Sequence, residues 1–88
     1  SGITTYYYHG YQQALASSIN YSLASALQVE NRGQRLGNYH VLRENKRAAA
    51  LVELGYLSNP ADELIVTTND YQENVTSAIY NGLARYFK

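Results

Sequence analysis

Residues 48–54, Ala-Ala-Ala-Leu-Val-Glu-Leu, are the most constraining stretch of this 88-residue chain. The segment is almost continuously apolar, which is typical of a β-strand covered on both faces of its sheet. Because side chains of a strand alternate between the two faces, Glu53 is predicted to share a face with Ala49 and Leu51. A carboxylate therefore falls on an apolar face, one residue before the strand ends.

The position of Glu53 needs a physical explanation. An unpaired buried carboxylate is strongly destabilising, so this group requires a cation, a metal, hydrogen bonds or solvent from a cleft. Ligand crevices of open α/β sheets lie at the carboxyl ends of strands, which is where Glu53 stands, two residues before Gly55. The pattern leaves two alternatives: a functional acid in a crevice, or a strand-end residue that reaches water or pairs with an arginine.

Three helices are predicted from periodicity and capping residues. Residues 11–28 carry an apolar residue at every fourth position, which predicts an amphipathic helix, and the glycine-containing segment 30–38 is predicted to end it. A short helix is predicted over residues 60–66, because Asn59 can cap it and Pro60 fits its first position. The last helix is predicted to begin near residue 69 or 70.

Two further strands are predicted, over residues 3–9 and 39–43. The predicted order is β-α-β-β-α-α, which gives a small mixed sheet with packed helices in the α/β class. A strand covered on both faces needs more sheet and more helix than 88 residues supply, so we expect the chain to be part of a larger three-layer domain. The sheet edge left open should promote self-association of the isolated chain.

Composition excludes several classes of function. Seven basic and seven acidic residues cancel, which disfavours a nucleic-acid partner. No apolar run approaches the roughly 20 residues that a membrane-spanning helix needs, so no membrane segment is predicted. The absence of cysteine excludes disulfides and thiolate metal sites. Ten tyrosines against one phenylalanine favour a core that lies close to the surface.

Two segments carry a family resemblance. Residues 38–46, NYHVLRENK, and residues 50–63, ALVELGYLSNPADE, closely resemble the zinc-dependent N-acetylmuramoyl-L-alanine amidases of bacterial cell walls. In that family an Asn-aromatic pair, a Val-Leu-Arg strand, a Leu-Val-Glu strand and a Gly-aromatic-hydrophobic-Ser-Asn-Pro turn occur in this order. The ITTYYYH and QQALASSI segments, the Asn31-Arg32-Gly33 turn and the closing GLARYF are also similar, so the resemblance covers essentially the whole chain.

The resemblance implies an activity and a role for Glu53. The family hydrolyses the amide that joins N-acetylmuramic acid to the L-alanine of the peptidoglycan stem peptide. A zinc ion polarises the carbonyl and lowers the pKa of its bound water. Glu53 matches the family's catalytic carboxylate, which acts as general acid-base and is not a zinc ligand. One departure from the family is Arg47-Ala48-Ala49, where a proline usually precedes the catalytic strand.

The family's zinc ligands, two histidines and a glutamate, lie upstream of the strand that matches residues 3–9. Residues 1–88 are therefore expected to form the C-terminal half of the catalytic domain. This half is expected to hold no zinc ligands, to be inactive alone, and to need the missing N-terminal half or a second chain. A less favoured alternative is a zinc site formed by His9, His40 and Glu53.

Arg43 and Asn38 are the predicted substrate-binding residues. Arg43 is expected at the end of the strand beside Glu53, where it can pair with Glu53 or with a carboxylate of the stem peptide. Asn38 matches a family position but can equally hold a turn through backbone hydrogen bonds. The substrate implies an extracellular location, at the cell wall or cell surface. The alternative function is a non-catalytic or split-domain module that retains the amidase fold for binding or regulation.

Overall fold

The computed structural model describes residues 2–55, 63–68, 70 and 76–88. The strands are β1 (Gly2–Tyr7), β2 (Glu30–Leu36), β3 (Ala49–Gly55) and β4 (Glu63–Thr67). The helices are α1 (Gln13–Leu27), α2 (His40–Arg43) and α3 (Ser77–Phe87), and a 3-10 turn, Gly10–Gln12, leads into α1. Within these ranges, no helix combines the length and the apolar character that crossing a membrane requires.

The described strands form one mixed sheet in the order β2-β1-β3-β4. β1 and β2 are parallel and are connected through α1, whereas β3 is antiparallel to both of its neighbours, β1 and β4. The predicted α/β class, a small mixed sheet with packed helices, is confirmed. The predicted element order is wrong, because the elements of the described residues follow the order β-α-β-α-β-β-α.

The central strand β3 separates two apolar clusters, as its alternation predicts. On one face, Ala50 and Val52 pack with residues of α1 and α3, among them Leu15, Ile19 and Leu83. On the other face, Ala49 and Leu51 pack with Leu42 of α2 and three partly buried tyrosines, Tyr6, Tyr8 and Tyr39. The first face is covered by two long helices, and the second by one helical turn and aromatic rings.

The predicted helix of residues 11–28 is confirmed as α1, with a 3-10 turn in place of its first residues. The apolar row predicted for this helix is buried in its centre and exposed at both ends. Ile19 and Leu23 are buried, but Tyr11 is 52% exposed and Leu27 is 46% exposed. The helix ends at Gln28, which adopts the left-handed conformation with φ of 55° and donates its backbone N–H to Ala24.

The segment 30–38, predicted as a glycine-rich helix end, instead contains β2. Its register against β1 steps from Asn31 opposite Ile3 to Gln34 opposite Thr5, so β2 holds one extra residue. Gly33 lies in this β-bulge with φ of 81°, a conformation that suits glycine. Most of β2 is exposed, so backbone hydrogen bonds to β1 define this edge strand without an apolar alternation.

The predicted strand of residues 39–43 is also wrong, because α2 occupies it. Only Leu42 of this turn is fully buried. The backbone N–H groups of Leu42 and Arg43 both donate to the carbonyl of Tyr39, at 3.0 and 2.9 Å. A β-branched residue, Val41, favours a strand locally, but the helical turn is set by contacts with residues distant in sequence.

The helix predicted over residues 60–66 lies partly outside the described residues, and its described part is β4. β4 pairs with β3 through Val66 opposite Ala50 and Glu63 opposite Glu53. The last helix is confirmed as α3, which begins at Ser77; the predicted start near residue 69 or 70 leads into residues 71–75, which lie outside the described residues. Thr76 caps it by accepting a hydrogen bond from the backbone N–H of Ile79 at 3.4 Å.

Candidate active site

Glu53 lies on the face of β3 predicted for it, two residues beyond the buried Leu51. Its partners across the sheet are Thr4 of β1 and Glu63 of β4. The side chain is half-buried, at the rim of the cluster formed by Leu42, Ala49 and Leu51. Partial exposure lowers the desolvation penalty that a fully buried carboxylate would carry. The structure therefore gives this acid one apolar side and access to solvent.

A second carboxylate lies next to Glu53. Glu63 is exposed and stands directly opposite Glu53 in the antiparallel pair of β3 and β4. Side chains at directly opposed positions of neighbouring strands are within interaction distance, and like charges there repel each other. This corner of the sheet, called the acidic corner below, therefore carries two neighbouring carboxylates.

Tyr39 interacts electrostatically with both carboxylates of this corner. Partial burial raises the pKa of the Tyr39 hydroxyl, and the charges of Tyr6, Glu53 and Glu63 raise it further. The hydroxyl is therefore a protonated hydrogen-bond donor at neutral pH. The sequence pattern did not single out Tyr39, although it is the aromatic member of the Asn-aromatic pair at residues 38 and 39.

Packing fixes the ring of Tyr39. It meets the ring of Tyr6 edge-on, with centroids 5.4 Å apart and an angle of 63°. A Cβ at Gly37 would lie 2.6 Å from Tyr39 Cε2 and 2.9 Å from Tyr6 Cδ1. Glycine at this position therefore permits the close contact between the two rings.

Arg43 and Asn38 are brought together, and Arg43 is not at the end of a strand. Arg43 ends α2, and its guanidinium donates to Asn38 Oδ1 at 2.5 Å. Its ion pair among the described residues is with Glu44, at 3.8 Å, rather than with Glu53. The Asn38 side chain thus contacts Arg43 directly. The roles of both residues in substrate binding stay predictions.

The described residues do not fit a zinc site. Within residues 2–55, 63–68, 70 and 76–88, no group of three or more His, Cys, Asp or Glu side chains converges on a common point. His9 Nε2 lies 2.8 Å from the carbonyl oxygen of Arg43, and His40 Nδ1 lies 3.5 Å from the Arg43 guanidinium. The trio of His9, His40 and Glu53 is therefore not formed, and these three side chains do not provide a metal centre.

A cavity of about 360 Å³ lies between α1 and α3, on the opposite side of the sheet from Glu53. Tyr21, Ser25 and Asn81 are among the side chains that line it. Its lining residues include none of the predicted site residues. Among the described residues, the acidic corner of Glu53 and Glu63, together with Tyr39, offers groups for acid-base chemistry. Tyr39 precedes α2, and Arg43 is the last residue of that helix.

The sequence and the fold define the class of protein to which this chain belongs. The sequence model of the family described as N-acetylmuramoyl-L-alanine amidase matches residues 1–85. The chain belongs to this family.

Individual relatives support the assignment. The chain is 46% identical, over 86% of its length, to the putative N-acetylmuramoyl-L-alanine amidase YrvJ of Bacillus subtilis. It is 41% identical, over 99% of its length, to the probable cell wall amidase LytH of Staphylococcus aureus. Among solved structures, it superimposes with a TM-score of 0.70 and 35% identity on the catalytic domain of CwlV, an N-acetylmuramoyl-L-alanine amidase from Bacillus (Paenibacillus) polymyxa var. colistinus.

The chain spans only part of each relative. It covers 15% of YrvJ, 30% of LytH and 48% of the CwlV structure, while 98% of the chain itself is matched in that structure. That residues 1–88 form the C-terminal half of a catalytic domain stays a prediction.

Proposed function

We propose that the protein containing this chain hydrolyses the amide between N-acetylmuramic acid and the L-alanine of the peptidoglycan stem peptide, with Glu53 as general acid-base. The observation that carries the proposal is the half-buried carboxylate of Glu53 at the end of β3 in a member of this family. The names of the similar proteins, which are cell-wall or N-acetylmuramoyl-L-alanine amidases, support the same substrate.

Glu53 performs two proton transfers in this proposal. Its ionised carboxylate accepts a proton from the attacking water as the water oxygen bonds to the carbonyl carbon. The protonated acid then donates this proton to the nitrogen of the leaving L-alanine as the C–N bond breaks. The products are the carboxylate of the muramyl lactyl group and a free amino terminus. The apolar side provided by Leu51 strengthens the interactions of Glu53 with the reacting group.

We propose that the complete domain depends on zinc. In this proposal the ligands are the two histidines and the glutamate that the family resemblance implies upstream of the strand matching residues 3–9, in the N-terminal half of the domain or in a second chain. When bound, zinc polarises the scissile carbonyl and lowers the pKa of water. The role assigned to this chain's own Glu53 is to hold and move the proton.

Arg43 and Asn38 are proposed to bind the stem peptide. The Arg43 side chain is 38% exposed and is oriented by Asn38, so part of its fork of N–H donors is accessible. A guanidinium binds carboxylates through paired hydrogen bonds, and stem peptides carry carboxylates. The proposed partner is therefore peptidoglycan, and the proposed location is extracellular, at the cell wall or cell surface.

Product analysis tests this proposal directly. The complete protein incubated with purified peptidoglycan should release peptides with new L-alanine amino termini and should generate no new reducing sugar ends. Chelation should abolish the release, and added zinc should restore it. New reducing ends would contradict the amidase assignment. Wall binding without any product would favour the alternative of a non-catalytic or split-domain module.

The 88-residue chain provides a separate test of the metal assignment. Metal analysis of the purified chain is expected to find no stoichiometric zinc, and the chain is expected to self-associate through its open sheet edge. One tightly held zinc per chain would contradict the upstream ligand assignment. A monodisperse monomer would contradict the predicted self-association.

A further inference from the structure

The C-terminal end of α2 is held by side chains from a distant part of the chain. The last carbonyl groups of a helix have no partner within the helix. Here Gln12 Nε2 donates to the carbonyl of Leu42 at 3.0 Å, and His9 Nε2 lies 2.8 Å from the carbonyl of Arg43. The Tyr11 hydroxyl donates to the carbonyl of Asn45 at 2.8 Å. The side chains of Gln12 and His9 thus contact the last two carbonyl groups of α2, and Tyr11 contacts the chain two residues beyond the helix.

Gln12 is the most buried of the side chains that contact this end of α2. It is fully buried, with 0% exposure. Its Oε1 accepts hydrogen bonds from the backbone N–H groups of Tyr8 and His9, at 3.0 and 3.1 Å, while its Nε2 donates to Leu42. Both ends of the amide are satisfied, so a rotation of the side chain would leave buried polar groups without partners.

The chemistry of the contact defines the protonation of His9. A carbonyl oxygen only accepts, so the Nε2 atom that faces Arg43 must carry a proton. The neutral ring is therefore the Nε2–H tautomer, and the charged ring keeps the same donor. The ring stacks on Tyr11, with centroids 5.0 Å apart and an angle of 8°, and meets Tyr8 edge-on at 4.9 Å.

The segment that carries the proposed substrate ligands is held at its other end as well. The backbone N–H of Gly37 donates to the carbonyl of Tyr7 at 2.8 Å. Asn38, Tyr39 and Arg43 therefore lie between two attachments to β1 and the 3-10 turn. A ligand group that is held before the substrate arrives loses less conformational entropy on binding.

We propose that His9, Tyr11 and Gln12 are positioning residues that set the orientation in which the Arg43 guanidinium receives a carboxylate of the stem peptide. This inference rests on the proposed function of Arg43 as a substrate ligand. The three residues do not touch the substrate. They act by fixing the carbonyl end of α2, from which the Arg43 side chain projects.

Substitutions at His9 separate the hydrogen bond from the ring packing. In the complete enzyme, His9→Phe keeps an aromatic ring beside Tyr11 and removes the donor, whereas His9→Gln keeps a donor. Loss of one such hydrogen bond is expected to raise KM about fivefold while kcat stays within about twofold. His9→Gln should raise KM by less than His9→Phe does, because glutamine can still donate to the carbonyl of Arg43. Tyr11→Phe should give a smaller rise in KM, and Tyr21→Phe on the outer surface of α1 is the matched control, expected to change neither constant.

A double-mutant cycle with Arg43→Ala connects the effect to Arg43. If His9 acts through Arg43, His9→Phe should raise KM no further in the Arg43→Ala background, because neighbours that act as a unit are not additive. Additive effects of the two substitutions would overturn the positioning role while leaving the substrate role of Arg43 intact. An unchanged KM for Arg43→Ala would instead refute the proposed substrate role, and the inference with it.

A measurement independent of activity keeps the inference testable if a variant folds poorly. Nitrogen chemical shifts of the His9 ring are expected to report the Nε2–H tautomer at neutral pH, and the signal of the Arg43 side chain should shift in His9→Phe but not in Tyr21→Phe. A neutral His9 ring protonated on Nδ1, or an Arg43 signal unchanged by His9→Phe, would overturn the inference.

Discussion

Replacement of Asn20 by leucine tests the buried polar contact that joins α1, β1 and β2. Asn20 is 1% exposed, and its Oδ1 accepts from the hydroxyl of Thr5, which is 0% exposed, at 2.8 Å. Its Nδ2 donates to Asn31 Oδ1 at 2.6 Å, and the same oxygen accepts from the backbone N–H of Gly33 at 2.8 Å. The amide therefore links the helix to the β-bulge of the edge strand.

The change in the free energy of unfolding depends on which buried groups lose their hydrogen-bond partners. In Asn20→Leu, the buried Thr5 hydroxyl has no acceptor, which costs about 1–3 kcal/mol, whereas Asn31 keeps its bond from Gly33. We expect a loss of about 2 kcal/mol in the free energy of unfolding. The double variant Asn20→Leu with Thr5→Val replaces both partners by apolar groups of similar shape, so it should lie within about 1 kcal/mol of the wild type.

Urea unfolding followed by circular dichroism measures both variants. With a slope of about 1 kcal/mol per molar urea, the single variant should lower the midpoint by roughly 2 M. The coupling between the two sites should exceed about 1 kcal/mol. Wild-type stability of Asn20→Leu would contradict a stabilising role for this buried hydrogen bond. The same holds if the loss of unfolding free energy in the double variant equals the sum of the losses in the two single variants.

Two further predictions concern packing and titration. Gly82→Ala should lower stability by about 1–2 kcal/mol, although alanine favours helices, because its Cβ would lie 3.1 Å from the Cα of the buried Ile19. The control is Asn81→Ala, at an exposed position that lines the cavity between α1 and α3. A gain in the melting temperature of Gly82→Ala would contradict the close contact of the two helices. Because the pKa of Tyr39 is raised, the folded state keeps the hydroxyl proton to a higher pH than the unfolded state does. The contribution of this group to the free energy of unfolding is therefore complete below the ordinary tyrosine pKa of about 10, and it is lost as pH rises through the pKa of the folded state. Absorbance titration against Tyr39→Phe measures this pKa, which Glu53→Gln should lower, and titration of Tyr39 at or below the ordinary value would contradict the effect of burial.

The parts of the fold that sequence predicts are those whose burial leaves a periodic pattern. The apolar run of β3 and the four-residue row of α1 each reflect packing on a large apolar surface, so their positions and the face occupied by Glu53 follow from local sequence. The edge strand β2 leaves no such pattern, because most of its side chains are exposed and backbone hydrogen bonds define it. Gly33 indicated a special backbone conformation, but a helix end and a β-bulge both use one.

In the candidate site, too, some features follow from local sequence and others depend on contacts with distant residues. The family resemblance singled out Glu53 as a candidate, and the alternation of β3 correctly predicted the face of the sheet on which Glu53 lies. The position of Arg43 could not be predicted, since the carbonyl groups of Leu42 and Arg43 contact the side chains of Gln12 and His9, which lie 30 and 34 residues earlier. The raised pKa of Tyr39 was equally inaccessible, because it results from burial and from charges on other strands.

Turnover of the Glu53→Gln variant tests the central claim most directly. Glutamine keeps the size of the side chain and removes its capacity to hold and return a proton, a function that contributes about 10²–10⁴-fold to rate. In the complete, zinc-loaded protein we expect the release of L-alanine amino termini from peptidoglycan to fall by about this factor, with zinc content and melting temperature unchanged. A Glu53→Gln enzyme that retains near wild-type turnover would contradict the assignment of Glu53 as the general acid-base.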